Sequence, residues 1–317
     1  MSNPPETSSP VGYIDLQVNG YGGVDFNSDD LAAEDLRAAC EAMRRDGVAA
    51  ALATIITDTI DAMSRRLRRL VELREHDPLA QQVIAGLHIE GPFLCPDEGY
   101  RGAHPIDAIR PADADVMDAL LDAAGGLTRI VTLAPEADAG QAVTRRLVDR
   151  GVVVSAGHCN PTIDQLDAAI DAGLSMFTHL GNGCANLVPR HDNILQRVLS
   201  RRDRLWICFI ADGVHIPFFA LGNYLELAGD QAIVVTDAMA AAGLGPGRHR
   251  IARWELDVGE DLAVWAPDRS HLVGSAMTMQ QAERRLTDAL GLDAARTRAL
   301  TRAHPAQAIG LELSSSA

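Results

Sequence analysis

Eight short apolar runs rich in β-formers recur along the chain, and stretches with helical spacing separate them. The runs are 13–19 (YIDLQVN), 49–57 (AAALATIIT), 83–90 (VIAGLHIE), 129–135 (RIVTLAP), 152–158 (VVVSAGH), 175–181 (SMFTHLG), 206–212 (WICFIAD) and 232–238 (AIVVTDA). Several are almost wholly hydrophobic, as strands buried on both faces of a parallel sheet must be. Helical spacing is clearest over 31–46, 60–75, 139–150, 162–172 and 276–290, and Gly47, Gly151 and Gly173 stand where a helix C-cap glycine belongs. Eight βα units in series predict a (β/α)₈ TIM-type barrel. A doubly wound open sheet is the competing architecture, weakened because no GxGxxG follows a strand. Residues 245–271 break the alternation and read as a β-hairpin excursion. The expected organisation is a disordered tail over 1–12 and a single catalytic barrel over 13–313.

Composition removes whole classes of function. All 28 basic residues are arginine, so a P-loop lysine, a Schiff-base lysine and a lysine carbamate bridging two metals are excluded. The net charge of −15 argues against nucleic acid and against an anionic membrane surface as partners. No apolar window reaches the roughly 20 residues a membrane span needs, and the N-terminus has no signal-peptide pattern. The five cysteines, Cys40, Cys95, Cys159, Cys184 and Cys208, are odd in number and never in CxxC spacing. Reduced thiols in a cytoplasmic protein are the expectation, with Cys159 set apart because it follows a histidine.

In a barrel of this kind the chemistry comes from the C-terminal ends of the strands. Six of the eight runs deliver a carboxylate, imidazole or carboxamide there: Gln17 and Asn19, His88 and Glu90, His158, His179 with Asn182, Asp212 with His215, and Asp237. Any one of these is easily structural; together they mark one rim. Glu90, His158 and His179 offer one carboxylate and two imidazoles, the three-ligand pattern of a catalytic Zn²⁺ site with an open position. Asp237 is then the natural general base. His88, two residues before Glu90, is expected to point away from it and to pack.

These residues sit in segments that resemble a known family. DLQVNGYGG (15–23), GLHIEGPFL (86–94), RGAHP (101–105), SAGHCNPT (155–162), THLGN (178–182), ADGVH (211–215), VTDAMAAAG (235–243) and LVGSAMTM (272–279) are similar, in order and spacing, to the N-acetylglucosamine-6-phosphate deacetylases of the amidohydrolase superfamily. The resemblance covers residues 13–310. It implies a metal-dependent deacetylase that frees the amine of an amino-sugar phosphate. It implies metal ligation by Glu90, His158 and His179, and an Asp237 that activates water and then protonates the leaving amine. It implies substrate contacts from His104, from Gln17 and Asn19, and from Asn182 and Gly183. His215 and Arg190 would meet the phosphate, with Arg101 a further candidate, and the family forms a homodimer that shares this subsite. Many amidohydrolases open with HxH on the first strand; Gln17–Val18–Asn19 stands there instead, so one divalent ion is expected. Zn²⁺ is the first expectation, and Fe²⁺, Mn²⁺ and Co²⁺ also suit the donor set.

Two departures bear on substrate. The accessory β-sandwich of the family is expected to be largely absent. After strand 6 the family's NAM and HREPG are replaced by NGCANLVPRHDN (182–193), which puts His191 and Asp192 beside the presumed phosphate arginine. Two other readings therefore stand beside the first. One is an amidohydrolase for an unphosphorylated N-acetyl sugar or an N-acyl amino acid. The other is a non-catalytic sugar-binding barrel, against which the retention of Asp237 and all three ligands argues.

Overall fold

The structure, a computed structural model, describes residues 12–251, 254–265 and 272–312. Most of the expected tail, residues 1–11, lies outside them, as do 252–253 and 266–271 of the expected hairpin region.

Eight strands pair in parallel in chain order: β1 (Tyr13–Val18), β2 (Val48–Ile56), β3 (Ile84–Glu90), β4 (Thr128–Leu133), β5 (Val153–Ala156), β6 (Met176–Phe177), β7 (Trp206–Ile210) and β8 (Ala232–Val235). The order never reverses, and the first strand meets the last, which excludes the doubly wound sheet. Asn19 N–H donates to the Ala238 carbonyl at 2.7 Å, and Val18 bridges Ala238 in parallel. Below that bridge a side chain does the joining. Asp15 of β1, 1% exposed, accepts from the Thr236 N–H at 3.2 Å and from the Thr236 hydroxyl. The observed strands are shorter than the apolar runs. His158, His179 and Asp237 each take a left-handed backbone, at φ 48°, 35° and 49°, so the chain has left the ladder before it reaches them.

The helices between the strands are α1 (Ala33–Arg45), α2 (Ile60–His76), α3 (Pro78–Val83), α4 (Ala114–Ala123), α5 (Ala142–Asp149), α6 (Ile163–Asp171), α7 (Ile194–Leu199) and α8 (Phe218–Ala228). Side chains cap five of them, at Thr59, Asp77, Asp113, Thr162 and Asn193, and buried apolar residues dock them on the strands. Thr162 caps α6 in a reciprocal box with Gln165, and Asp113 caps α4 through two N–H groups. α2 buries Met63, Leu67 and Leu70 and leaves Arg65 and Arg68 exposed. Each such leucine contributes roughly 1.5–3 kcal/mol of burial, so Leu67→Ala would open a cavity between α2 and the barrel wall.

After β8 come four antiparallel strands, β9 (Gly247–Ile251), β10 (Trp254–Val258), β11 (Ala263–Trp265) and β12 (Leu272–Ser275), joined to the barrel where Ser275 bridges Ala238. α9 (Met279–Leu290) follows, capped by Thr278 and closed by Gly291 at φ 67°.

Beneath the rim the barrel holds a buried polar network. His88 Nδ1 donates to the Leu16 carbonyl at 3.0 Å, and its Nε2 meets the Thr132 hydroxyl at 2.7 Å. Thr132 continues to Thr178 at 2.7 Å and Thr178 to Ser155 at 2.6 Å. This corrects the sequence reading of His88. Residues two apart on a strand share a face, so His88 lies inside the barrel directly beneath Glu90. Its packing role stands, because both of its nitrogens are engaged.

Candidate active site

The C-terminal ends of β3, β5 and β6 bring Glu90, His158 and His179 together. Glu90 Oε1 lies 3.3 Å from His158 Nε2 and 3.1 Å from His179 Nε2, and all three residues are buried. Burial alone would push the Glu90 carboxyl up; hydrogen bonds from the two histidines reverse this and hold it well below the usual carboxylate range. Gln17 approaches the far side of the same carboxylate, its amide 3.3 Å from both oxygens.

His158 is gripped from three directions. Its Nδ1 donates to the Tyr100 carbonyl at 2.8 Å, which fixes the direction of the ring and turns Nε2 toward Glu90. Glycines press on the ring's edge from two loops. A Cβ on Gly102 would stand 2.8 Å from Cε1, and one on Gly183 would stand 2.8 Å from Nδ1. Both glycines have positive φ, 56° and 58°, so neither space nor backbone admits a side chain. Gly183, expected to line the substrate site, is thus also part of the wall behind a metal-ligand candidate.

His104 lies beside this group. Its ring centroid is 4.4 Å from that of His158, its Nδ1 is buried without a partner, and burial drives its ordinary value down to about 3. It is neutral at physiological pH and has hydrogen-bonding capacity to spare. Ligand atoms of Glu90, His104 and His158 all fall within 4.8 Å of one another. A carboxylate with three converging imidazoles is a donor set that suits a first-row divalent ion.

Asp237, past the end of β8, accepts from the Asn19 amide at 2.7 Å. Loss of solvent raises its carboxyl above the ordinary value, with His179 pulling it back and Glu90 pushing it further up. The end of β7 supplies Asp212, whose Oδ1 accepts from the Val214 and His215 N–H groups at 2.9 and 2.8 Å. Its Oδ2 meets His215 Nδ1 at 2.6 Å, which fixes the direction of that ring.

The structure does not bring every expected residue to this centre. Asn182 folds back on the turn that follows β6, bonding the His179 carbonyl through its N–H at 2.9 Å and its amide at 3.4 Å. Arg190 is exposed on the 182–193 loop. Sequence reasoning missed Gly102, the Tyr100 carbonyl, the Thr132–Thr178–Ser155 hydroxyls and Asp15. Gly102 stands inside RGAHP and Asp15 inside DLQVN, so position within a motif could have flagged both. The carbonyl and the hydroxyls carry no signal of their own.

A (β/α)₈ barrel with a carboxylate, imidazoles and a free aspartate on its C-terminal rim is the framework of a metal-dependent hydrolase. The chain belongs to the amidohydrolase family, whose sequence profile matches residues 11–191. It is 32% identical to the N-acetylglucosamine-6-phosphate deacetylase of Bos taurus, covering 95% of this chain and 74% of that protein. It is 30% identical to the N-acetylgalactosamine-6-phosphate deacetylase of Escherichia coli O157:H7, covering 95% and 78%. The crystal structure of N-acetylglucosamine-6-phosphate deacetylase from Pasteurella multocida superposes with a TM-score of 0.82 at 30% identity, over 95% of this chain and 76% of that one. The family implies a divalent metal. No helix among the described residues is long and apolar enough to cross a membrane.

Proposed function

We propose that this chain is a metal-dependent deacetylase that converts N-acetylglucosamine 6-phosphate to the free amine and acetate. The observation that carries the reading is the coincidence of the Glu90, His158 and His179 cluster with a half-buried Asp237 on one barrel rim, in a chain about 30% identical to such deacetylases over 95% of its length. Glu90, His158 and His179 would hold one divalent ion, Zn²⁺ first among the candidates. A single ion fits because Gln17 and Asn19 stand on the first strand in place of the two histidines of HxH, and the Gln17 amide donates to Glu90.

The bound ion supplies Lewis acidity toward an amide carbonyl and acidifies a water molecule. The residues do the rest. Asn19 orients the Asp237 carboxylate, which takes a proton from the attacking water. Neutral His104 donates to the developing oxyanion with the capacity it has free. Asp237 then returns its proton to the departing nitrogen, so a neutral amine leaves. His215, steered by Asp212, and Arg190 on the 182–193 loop face the 6-phosphate, while Asn182 and Gly183 shape the turn that carries the sugar.

We read residues 13–313 as one catalytic barrel, with the four-stranded sheet as an excursion before α9. Five unpaired cysteines fit a cytoplasmic setting. A homodimer that shares the phosphate subsite belongs to the same reading, and Leu187, 92% exposed on the 182–193 loop, offers that partner an apolar contact. The test is amine release from N-acetylglucosamine 6-phosphate, N-acetylgalactosamine 6-phosphate and unphosphorylated N-acetylglucosamine, using metal-loaded protein. Turnover of the first above the others supports the reading. Preference for the galacto epimer would move the assignment to that substrate, and equal rates with and without phosphate would overturn the phosphate assignment.

A further inference from the structure

The 182–193 loop sets an acidic residue, Asp192, two positions from the arginine assigned to the phosphate. The structure shows what becomes of that charge. Arg197, on α7, donates to Asp192 Oδ1 at 2.6 Å and to the Asp192 carbonyl at 3.2 Å. The other arm of the same guanidinium reaches the loop after β5, bonding Asn160 Oδ1 at 3.0 Å and the Pro161 carbonyl at 2.8 Å. Arg197 is largely buried, at 13% side-chain exposure, whereas Asp192 remains 80% exposed. Arg190 is exposed and takes no carboxylate partner among the described residues. The loop therefore spends its one acid on a cation outside itself and keeps its own arginine free.

We infer that Arg197 is a specificity-determining positioning residue: by neutralising Asp192 and tying it back to the β5 loop, it leaves the 182–193 loop with a net positive charge for an anionic substrate group. This rests on the phosphate reading above. Arg197 does not touch the substrate; it acts by removing a repulsion that Asp192 would otherwise exert. The charge logic orders four proteins. Asp192→Asn adds a positive charge to the loop, Arg197→Ala adds a negative one, and the double variant returns the loop to the charge of the unaltered protein.

The experiment measures KM and kcat for N-acetylglucosamine 6-phosphate and for unphosphorylated N-acetylglucosamine across this set, at low salt and at 1 M salt. At low salt KM for the phosphorylated sugar should rise roughly three- to fivefold in Arg197→Ala, the scale on which an exposed charge acts. It should fall below the unaltered protein in Asp192→Asn and return near it in the double variant. kcat should hold, and the differences should shrink at high salt, where screening acts within about 3 Å. A pin that only holds the loop in shape predicts otherwise: both single variants and the double would lose affinity, for both sugars, at any salt. That pattern, or no change across the set, overturns the inference. Unaltered protein that ignores the phosphate would instead sink the functional reading, so the two failures are distinguishable.

Discussion

Gly183→Ala tests the central site through a contact that can be worked out in advance. The added methyl would stand 2.8 Å from His158 Nδ1, 3.0 Å from Cε1 and 3.2 Å from Cγ. An ordinary contact needs about 3.5 Å, so ring or loop must yield by more than half an ångström. The ring has little freedom, since Nδ1 is tied to the Tyr100 carbonyl at 2.8 Å and Gly102 presses on the same edge. Metal–ligand distances tolerate about 0.2 Å. A ring displaced by more than that should weaken metal binding roughly 10- to 100-fold, the range seen when the groups supporting a ligand are lost. The backbone adds its own cost, about 1–2 kcal/mol for a side chain at φ 58°. Gly126→Ala separates the two effects. Its φ is 79° and its Cβ would meet nothing within 4 Å, so it carries the backbone strain without the ring contact. Metal affinity is read by competition with a chromophoric chelator, and stability by urea unfolding in excess chelator. Both variants should lose apo stability and only Gly183→Ala should lose affinity. Wild-type affinity in Gly183→Ala would mean that the loop moves and the ring does not, refuting the idea that glycine is there to set His158.

Three further outcomes are expected. Asp237→Asn should lower kcat by about 10²–10⁴-fold, the usual worth of a positioned general acid–base, with metal content by atomic absorption unchanged; loss of the metal would make Asp237 a ligand. Chelation should lower thermal stability, because an ion at 100 times its Kd adds about 2.7 kcal/mol to a folded state that alone binds it; an unmoved melting curve would argue that no ion is held. Burial raises the Asp15 carboxyl to about 7, with the Thr236 hydrogen bonds opposing the rise. The folded chain then holds a proton that the unfolded chain has released above its ordinary value, so this group favours folding at low pH and its contribution is lost as pH climbs toward 7. Asp15→Asn, which can keep the Thr236 contacts, should flatten that slope between pH 4 and 7, as followed by urea titrations. An unchanged slope would show that Asp15 stays ionised.

Much of this was readable in the sequence because barrels announce themselves by repetition. Eight apolar runs gave the strand count, and polar residues at their ends gave Glu90, His158, His179 and Asp237. The strand limits were not readable, because an apolar run does not reveal where φ turns positive, and at His158, His179 and Asp237 that turn ends the ladder. His88 shares a face with Glu90 because residues two apart on a strand point the same way, and its two hydrogen bonds make it structural. The 182–193 loop looked ill-suited to an anion because Asp192 was visible and its partner was not. Arg197 lies five residues on, and nothing in the sequence ties it both to Asp192 and to Asn160, 37 positions earlier.

The way the barrel closes has a consequence for the order in which the site is made. The three metal-ligand candidates stand on β3, β5 and β6, within one unbroken arc of neighbouring strands. Asp237 and its partner Asn19 stand at the join of first and last strands, sealed by Asp15 and Thr236. As the chain emerges from the ribosome, the arc is complete when β6 has been made, while the join must wait for β8, more than fifty residues later. A barrel opened at that join would keep Glu90, His158 and His179 on one run of neighbouring strands while Asp237 parts from Asn19.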